Sequence, residues 1–115
     1  MTFELLAGTI AMVPFPYTDL SASKRRPVLL LTSVNERGDF IAMALTSRPR
    51  AAHAVALARG PLARGGTLVA DSWICTDKVI TLRHTVVVKT LGRTDNQTRG
   101  ECVRQLCHAL NTAEQ

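Results

Sequence analysis

A chain of 115 residues, 46% hydrophobic and 20% charged, can build one modest core, and that balance is ordinary for a globular protein and argues against a disordered chain. Fourteen Lys and Arg against nine Asp and Glu give a net charge of +5. That charge suits a polyanionic partner, either nucleic acid or an acidic protein, and equally a plain solvated basic surface.

Residues 8–15, GTIAMVPF, form a short apolar run closed by Pro14 and Pro16, which predicts a first strand. Residues 17–26 read as a polar loop ending in the cationic cluster Lys24, Arg25, Arg26. Residues 27–34, PVLLLTSV, predict a buried strand. Pro27 would stand at its first position, where a missing N–H breaks no ladder bond. A turn follows at 35–39, with Gly38 available for a positive φ. The hairpin partner is 40–47, FIAMALTS.

Beyond a loop at 48–52, residues 53–58 alternate as a short strand, and 59–66 are a turn-rich excursion. Residues 67–80 predict one longer or bent strand and 85–92 another. The period then changes. Val103, Leu106, Cys107 and Leu110 recur on one face of a helix over 95–110. Thr94 and Gln97 have the spacing of a capping box, and Gly100 inside the helix costs about 1 kcal/mol relative to alanine. Five to seven short strands and one terminal helix predict a single domain, a small, strongly bent, mostly antiparallel barrel.

Three cysteines without a CxxC make neither a disulfide framework nor a zinc site, and they fit a reducing cytosol. Cys75 and Cys107 are expected to fill core space. No segment approaches the roughly 18 apolar residues of a membrane span. The opening stretch lacks a basic start and carries prolines, unlike a signal peptide. His53, His84 and His108 lie far apart, with no Cys or carboxylate at ligand spacing, so they predict no metal site. Among the few aromatics, Tyr17 and Phe15 flank the cationic loop and are candidates for base stacking. Trp73 is expected inside the barrel or at a subunit contact.

The stretch GTIAMVPFPYTDLSASKRRPVLLLT, a Gly-Thr-Ile strand followed by a polar loop and an Arg-Pro strand, resembles the amino-terminal signature of the MazF/PemK family. These are toxins of bacterial type II toxin–antitoxin systems. FIAMALTS is similar to the family's apolar strand ending in Thr-Ser. DSWICTDKVITL resembles its Asp-Lys segment, and VVVKTLGRT before a helix its carboxyl end. The resemblance spans residues 8–110. It implies an SH3-like barrel, a homodimer, and a metal-independent endoribonuclease that cuts single-stranded RNA in the bacterial cytoplasm. It also implies an acidic antitoxin partner in the RNA groove, and no cofactor.

Such chemistry uses the ribose 2′-OH as nucleophile and needs a rigid cation beside the crowded phosphate. Arg26 matches the family's Arg-Pro arginine, and its place against Pro27 and a buried strand makes it stiff. Thr46 matches the catalytic threonine. In a hairpin the start of one strand lies beside the end of the next, so Arg26 and Thr46 are expected at one end of the barrel. Lys24 and Arg25 would hold flanking phosphates, and Ser47 and Tyr17 would line the groove. Asp77 and Lys78 are placed at the RNA as well, Asp77 matching an acidic position of the family. The plain alternative for Asp77 is an ion pair with Lys78 or Arg25. Many relatives carry an arginine two residues before that aspartate, where this chain has Cys75, so the second cation of the pair is missing from the strand. The other reading is an SH3-like module that binds RNA or a protein without cutting.

Overall fold

The computed structural model describes residues 4–15 and 24–112. Its strands, in order, are β1 (Thr9–Phe15), β2 (Lys24–Leu30), β3 (Asp39–Thr46), β4 (Ala54–Leu57), β5 (Gly60–Pro61), β6 (Arg64–Gly65), β7 (Thr67–Leu68), β8 (Ser72–Arg83) and β9 (Lys89–Arg93). A 3-10 turn, His84–Val86, precedes β9, and helix α1 (Asn96–Thr112) follows it. Seven strands make one curled antiparallel sheet in the order β4-β8-β3-β2-β1-β9-β6, a half-barrel, while β5 pairs with β7.

The run Val28 to Leu31 explains why the sheet is apolar on both faces. Alternation sends Val28 and Leu30 to one side, where they meet Ala11, Val13, Phe40 and Ala42 under Leu5 and Val87. Leu29 and Leu31 go to the other side, with Ile10, Met43, Leu45, Ile74 and Cys102 of the helix. Each fully buried aliphatic side chain contributes about 1.5–3 kcal/mol. The turn before β3 forms as its residues dictate. The Asn35 side chain accepts the N–H groups of Arg37 and Asp39 at 3.0 and 2.9 Å, and Gly38 takes a φ of 85°.

The excursion after β4 is packed by glycine. Gly92 has a φ of 146°, and a Cβ there would sit 2.6 Å from the Arg64 carbonyl oxygen. Only glycine lets β6 come this close to β9. That approach folds the 60–70 segment back toward the sheet.

Four details differ from the sequence reading. Lys24–Arg26 belong to β2 rather than to a loop, paired with β1 from Phe15–Lys24 onward. Pro27 is therefore inside a strand. The strand expected at 67–80 starts at Ser72 and runs to Arg83, and the one expected at 85–92 begins with the 3-10 turn. The helix docks on a face turned by one residue: Cys102 is fully buried, whereas Cys107 is exposed and Leu110 is 66% exposed. The docking stripe is Arg99, Cys102, Val103, Leu106, which opens on a charged residue that apolar counting passes over. Arg99 Nη1 donates to the Leu31 carbonyl at 3.3 Å, and Gln105 bridges Thr76 of β8 and Ala54 of β4.

The cap also differs. Asp95, not Thr94, closes the helix start, its Oδ1 accepting the Thr98 N–H at 2.7 Å. Thr94 is buried and donates its own N–H to Gly8. The hydrogen bonds from Thr98 hold the Asp95 carboxyl below its ordinary range. A depressed carboxylate gives stability that is present above the unfolded value of 3.8 and lost as pH falls through the folded one. Asp95→Ala is expected to cost about 1 kcal/mol at pH 7 by denaturant titration. Asp95→Asn should keep the cap and flatten that part of the acid limb.

Candidate nucleic-acid interface

β2 is shared unequally between its neighbours. Its ladder with β1 continues to Lys24, but its ladder with β3 ends at Val28–Ala44. Pro27 stands at that point and has no N–H to give. The same register carried further sets Arg26 opposite Thr46, yet the strands part there. The gap is an open concavity of about 330 Å³. Arg26, Pro27, Leu45 and Thr46 line it between the two strands, with Lys24, Arg25, Ser47 and Arg48 around them. Leu68, Val69 and Ala70 of the folded-back segment complete the lining, with Ser72 of β8, Met12 of β1 and Leu91 of β9.

Four cations and no carboxylate line this concavity among the described residues. The side chains are concentrated there because they stand on or beside strand ends whose backbones the sheet holds. Arg26 is half-buried, while Lys24 and Arg25 are exposed. The Thr46 Oγ1 accepts the Arg48 N–H at 3.2 Å, which leaves its own proton to donate outward. This bond holds the first residues after β3, from which Arg48 joins the lining.

Of the residues singled out in the sequence, Arg26, Thr46, Lys24, Arg25 and Ser47 share this site. Tyr17 lies outside the described residues. Asp77 and Lys78 are on β8, away from the lining, in a stretch where pairing with β3 shifts between Met43–Val79 and Leu45–Ile74. Arg48 and Val69 were not singled out. Arg48 directly follows Thr-Ser, which is a legible signal, whereas Val69 arrives through the Gly92 contact and has none. Trp73 is half-buried, opposite Thr46 on β3 and Ala56 on β4.

The expected partners of Asp77 were Lys78 and Arg25. Its partner is Arg50, which donates from Nη1 to Oδ1 at 2.9 Å and from Nη2 to Oδ2 at 3.0 Å. The Arg50 hydrogen bond, opposed by partial desolvation, holds the Asp77 carboxyl below its usual range. Arg50 is pushed further above its own by Asp77 and then by Cys75. A guanidinium thus sits beside Asp77 although position 75 is a buried cysteine; it comes from the loop. His53 and His108 line a separate groove between β4 and α1, and His84 is exposed in the 3-10 turn. No group of three or more His, Cys, Asp or Glu side chains able to hold a metal occurs among the described residues.

The sequence matches the family model of the PemK-like, MazF-like toxin of type II toxin–antitoxin systems over residues 6–110. The chain belongs to that family. The toxin fold is also that of solved structures of low identity. A chain of the MazE–MazF complex of Deinococcus radiodurans is 20% identical with a TM-score of 0.76, over 96% of this chain and 99% of the other. The Mycobacterium tuberculosis toxin MazF-mt6 is 19% identical with a TM-score of 0.66, over 90% and 96%. A mycobacterial endoribonuclease in complex with its cognate antitoxin is 20% identical with a TM-score of 0.68, over 96% of each chain. No curated protein matches the toxin by sequence.

Cys75 and Cys102 are buried and Cys107 exposed, and burial pushes the Cys102 thiol up to about 11. At pH 8 one thiol per chain should therefore react quickly with a disulfide reagent. The other two should react only after unfolding. Fast reaction of a second thiol would mean that the surroundings of Cys75 are open.

Proposed function

We propose that this toxin is a metal-independent endoribonuclease that cuts single-stranded RNA in the concavity between β2 and β3. The observation that carries it is that Arg26 and Thr46 line one concavity whose charged groups are all cationic, in a chain of this toxin family. The solved neighbours support it, since one is an endoribonuclease with its antitoxin.

In this mechanism the ribose 2′-oxygen attacks the adjacent phosphorus and the bond from phosphorus to the 5′-oxygen breaks. The products are a 2′,3′-cyclic phosphate and a 5′-hydroxyl. The 2′-OH loses its proton to water, and the departing 5′-oxygen takes one up. The described lining holds no carboxylate or imidazole, so acceleration rests on electrostatics. Arg26 offers a charged planar fork to the phosphorane oxygens, and the Thr46 hydroxyl donates a hydrogen bond to the same group. Lys24, Arg25 and Ser47 hold the neighbouring phosphates, Tyr17 offers a ring for stacking, and Lys78 adds charge further along β8. The apolar floor of Leu45, Leu68 and Leu91 suits the face of a base.

The same concavity would take an acidic segment of the antitoxin, laid across Lys24–Arg26 and the Thr46–Ser47 rim. A homodimer working in a bacterial cytoplasm completes the assignment. No described helix is long and apolar enough to cross a membrane. The binding-only alternative draws on one observation, that the described lining offers no carboxylate or imidazole as a base, Asp77 on β8 being paired with Arg50.

Purified protein incubated with mixed-sequence RNA in EDTA should yield mapped ends of the cyclic-phosphate type. Arg26→Ala should slow cleavage by about 100-fold to 1,000-fold with the fold intact. Unchanged cleavage by that variant would remove Arg26 from the chemistry. Lys24→Ala and Arg25→Ala should each lower the salt dependence of RNA binding by about 0.7 in the log–log slope. Light scattering at micromolar concentration should give twice the chain mass.

A further inference from the structure

We propose that Arg50 and Asp77 form a latch that holds the loop joining β3 and β4, and so positions Arg48 over the RNA groove. The inference rests on the reading of that groove as an RNA site and adds a positioning pair to it.

Residues 47–53 carry almost no apolar anchorage. Every side chain from Ser47 to His53 is exposed except that of Arg50, which is half-buried. Such a segment belongs to the low-stability end of a structure unless polar contacts fix it. Three do. The Arg48 N–H is held by Thr46 Oγ1 at 3.2 Å. The His53 carbonyl accepts the Thr76 N–H at 3.0 Å. Between these ends, both arms of the Arg50 guanidinium grip both oxygens of Asp77.

A fork-to-fork pair fixes the plane of the guanidinium as well as its distance. Arg50 is two residues from Arg48, so its orientation constrains the backbone that aims Arg48. On the strand side, the irregular pairing of β8 with β3 between Met43 and Leu45 takes Asp77 out of the regular ladder, where it can meet the loop. His53 adds a further sign of constraint. Its φ is 53°, left-handed backbone that a non-glycine residue keeps only where its surroundings impose it. Arg48 itself lines the concavity with Arg26 and Thr46.

The latch predicts an effect opposite in sign to a count of charges. Asp77 is an anion on β8, the strand whose Ser72 lines the concavity, so on charge alone its removal would strengthen binding of a polyanion. If it holds Arg48 in place, its removal weakens binding. The test uses the full chain and a fluorescein-labelled single-stranded RNA with 2′-O-methyl riboses, which cannot be cut. Anisotropy is read across a KCl series for the parent, Arg48→Ala, Asp77→Asn and the double variant. Arg48→Ala should weaken binding several-fold and lower the salt slope by about 0.7. Asp77→Asn should weaken binding comparably although it raises the net charge by one. The double variant should bind no worse than Arg48→Ala alone. Arg50→Lys keeps the charge but loses one arm, and it should fall between parent and Asp77→Asn; it serves in place of Asp77→Asn if that variant unfolds. Binding by Asp77→Asn as tight as the parent's or tighter, or additive effects in the double variant, would overturn the latch. A parent that does not bind the RNA would instead overturn the groove reading, before any variant is compared.

Discussion

A proline inside β2 sets the geometry on which the rest of the site depends. Pro27 cannot donate to a ladder, so β2 stays with β1 to its first residue but leaves β3 at Val28. Two strand ends in a shared register are then separated by space instead of hydrogen bonds. Side chains that would otherwise cover a flat sheet, Arg26 and Thr46, face an opening. The folded-back segment after β4 closes this opening from the third side, and it depends on the contact that only glycine permits at position 92.

Cations held this way differ from cations in a flexible arm. A loop lysine pays side-chain and backbone entropy when it meets a phosphate. For Arg26 the backbone part is lost on folding, because β1 and the apolar clusters on the two faces of the sheet fix the strand. Preorganisation of that kind distinguishes a site that favours a transition state from a surface that merely attracts RNA. Crowding four positive groups around one concavity has an electrostatic cost, which a polyanion bound there, as proposed, would relieve. The helix packs on the face that carries Leu45 and Leu91: Cys102 and Leu106 join that apolar cluster, Gln105 ties the helix to β8 and β4, and Arg99 ties it to Leu31 just past β2.

The surroundings of Asp77 show how one local charge pattern can be reached by different routes. Family likeness leads to an arginine on the strand beside this aspartate. Here the strand position is a buried cysteine, and a guanidinium reaches the carboxylate from the β3–β4 loop. The consequence is a link between that loop and β8 that a strand arginine would not make.

Much of the fold was legible in the sequence because it depends on local and periodic features. The apolar run from Val28, bounded by turn residues, reads as a strand buried on both faces, Asn35 and Gly38 as a tight turn, and the 3.6-residue period before the carboxyl end as a helix. The hairpin alone placed Arg26 beside Thr46, since register follows from turn length. What tertiary structure decided involves contacts far apart in the chain. The helix face could not be read from apolar residues, because Arg99 leads the stripe that docks. The helix begins one residue later than the Thr94–Gln97 spacing implies, at Asn96, so the cap falls to Asp95. Val69 reaches the groove through a backbone approach at Gly92, and Arg50 reaches Asp77 through an irregularity in β8. Periodicity along the chain carries no information about such pairs; they exist only once the sheet has curled and brought a loop over a strand.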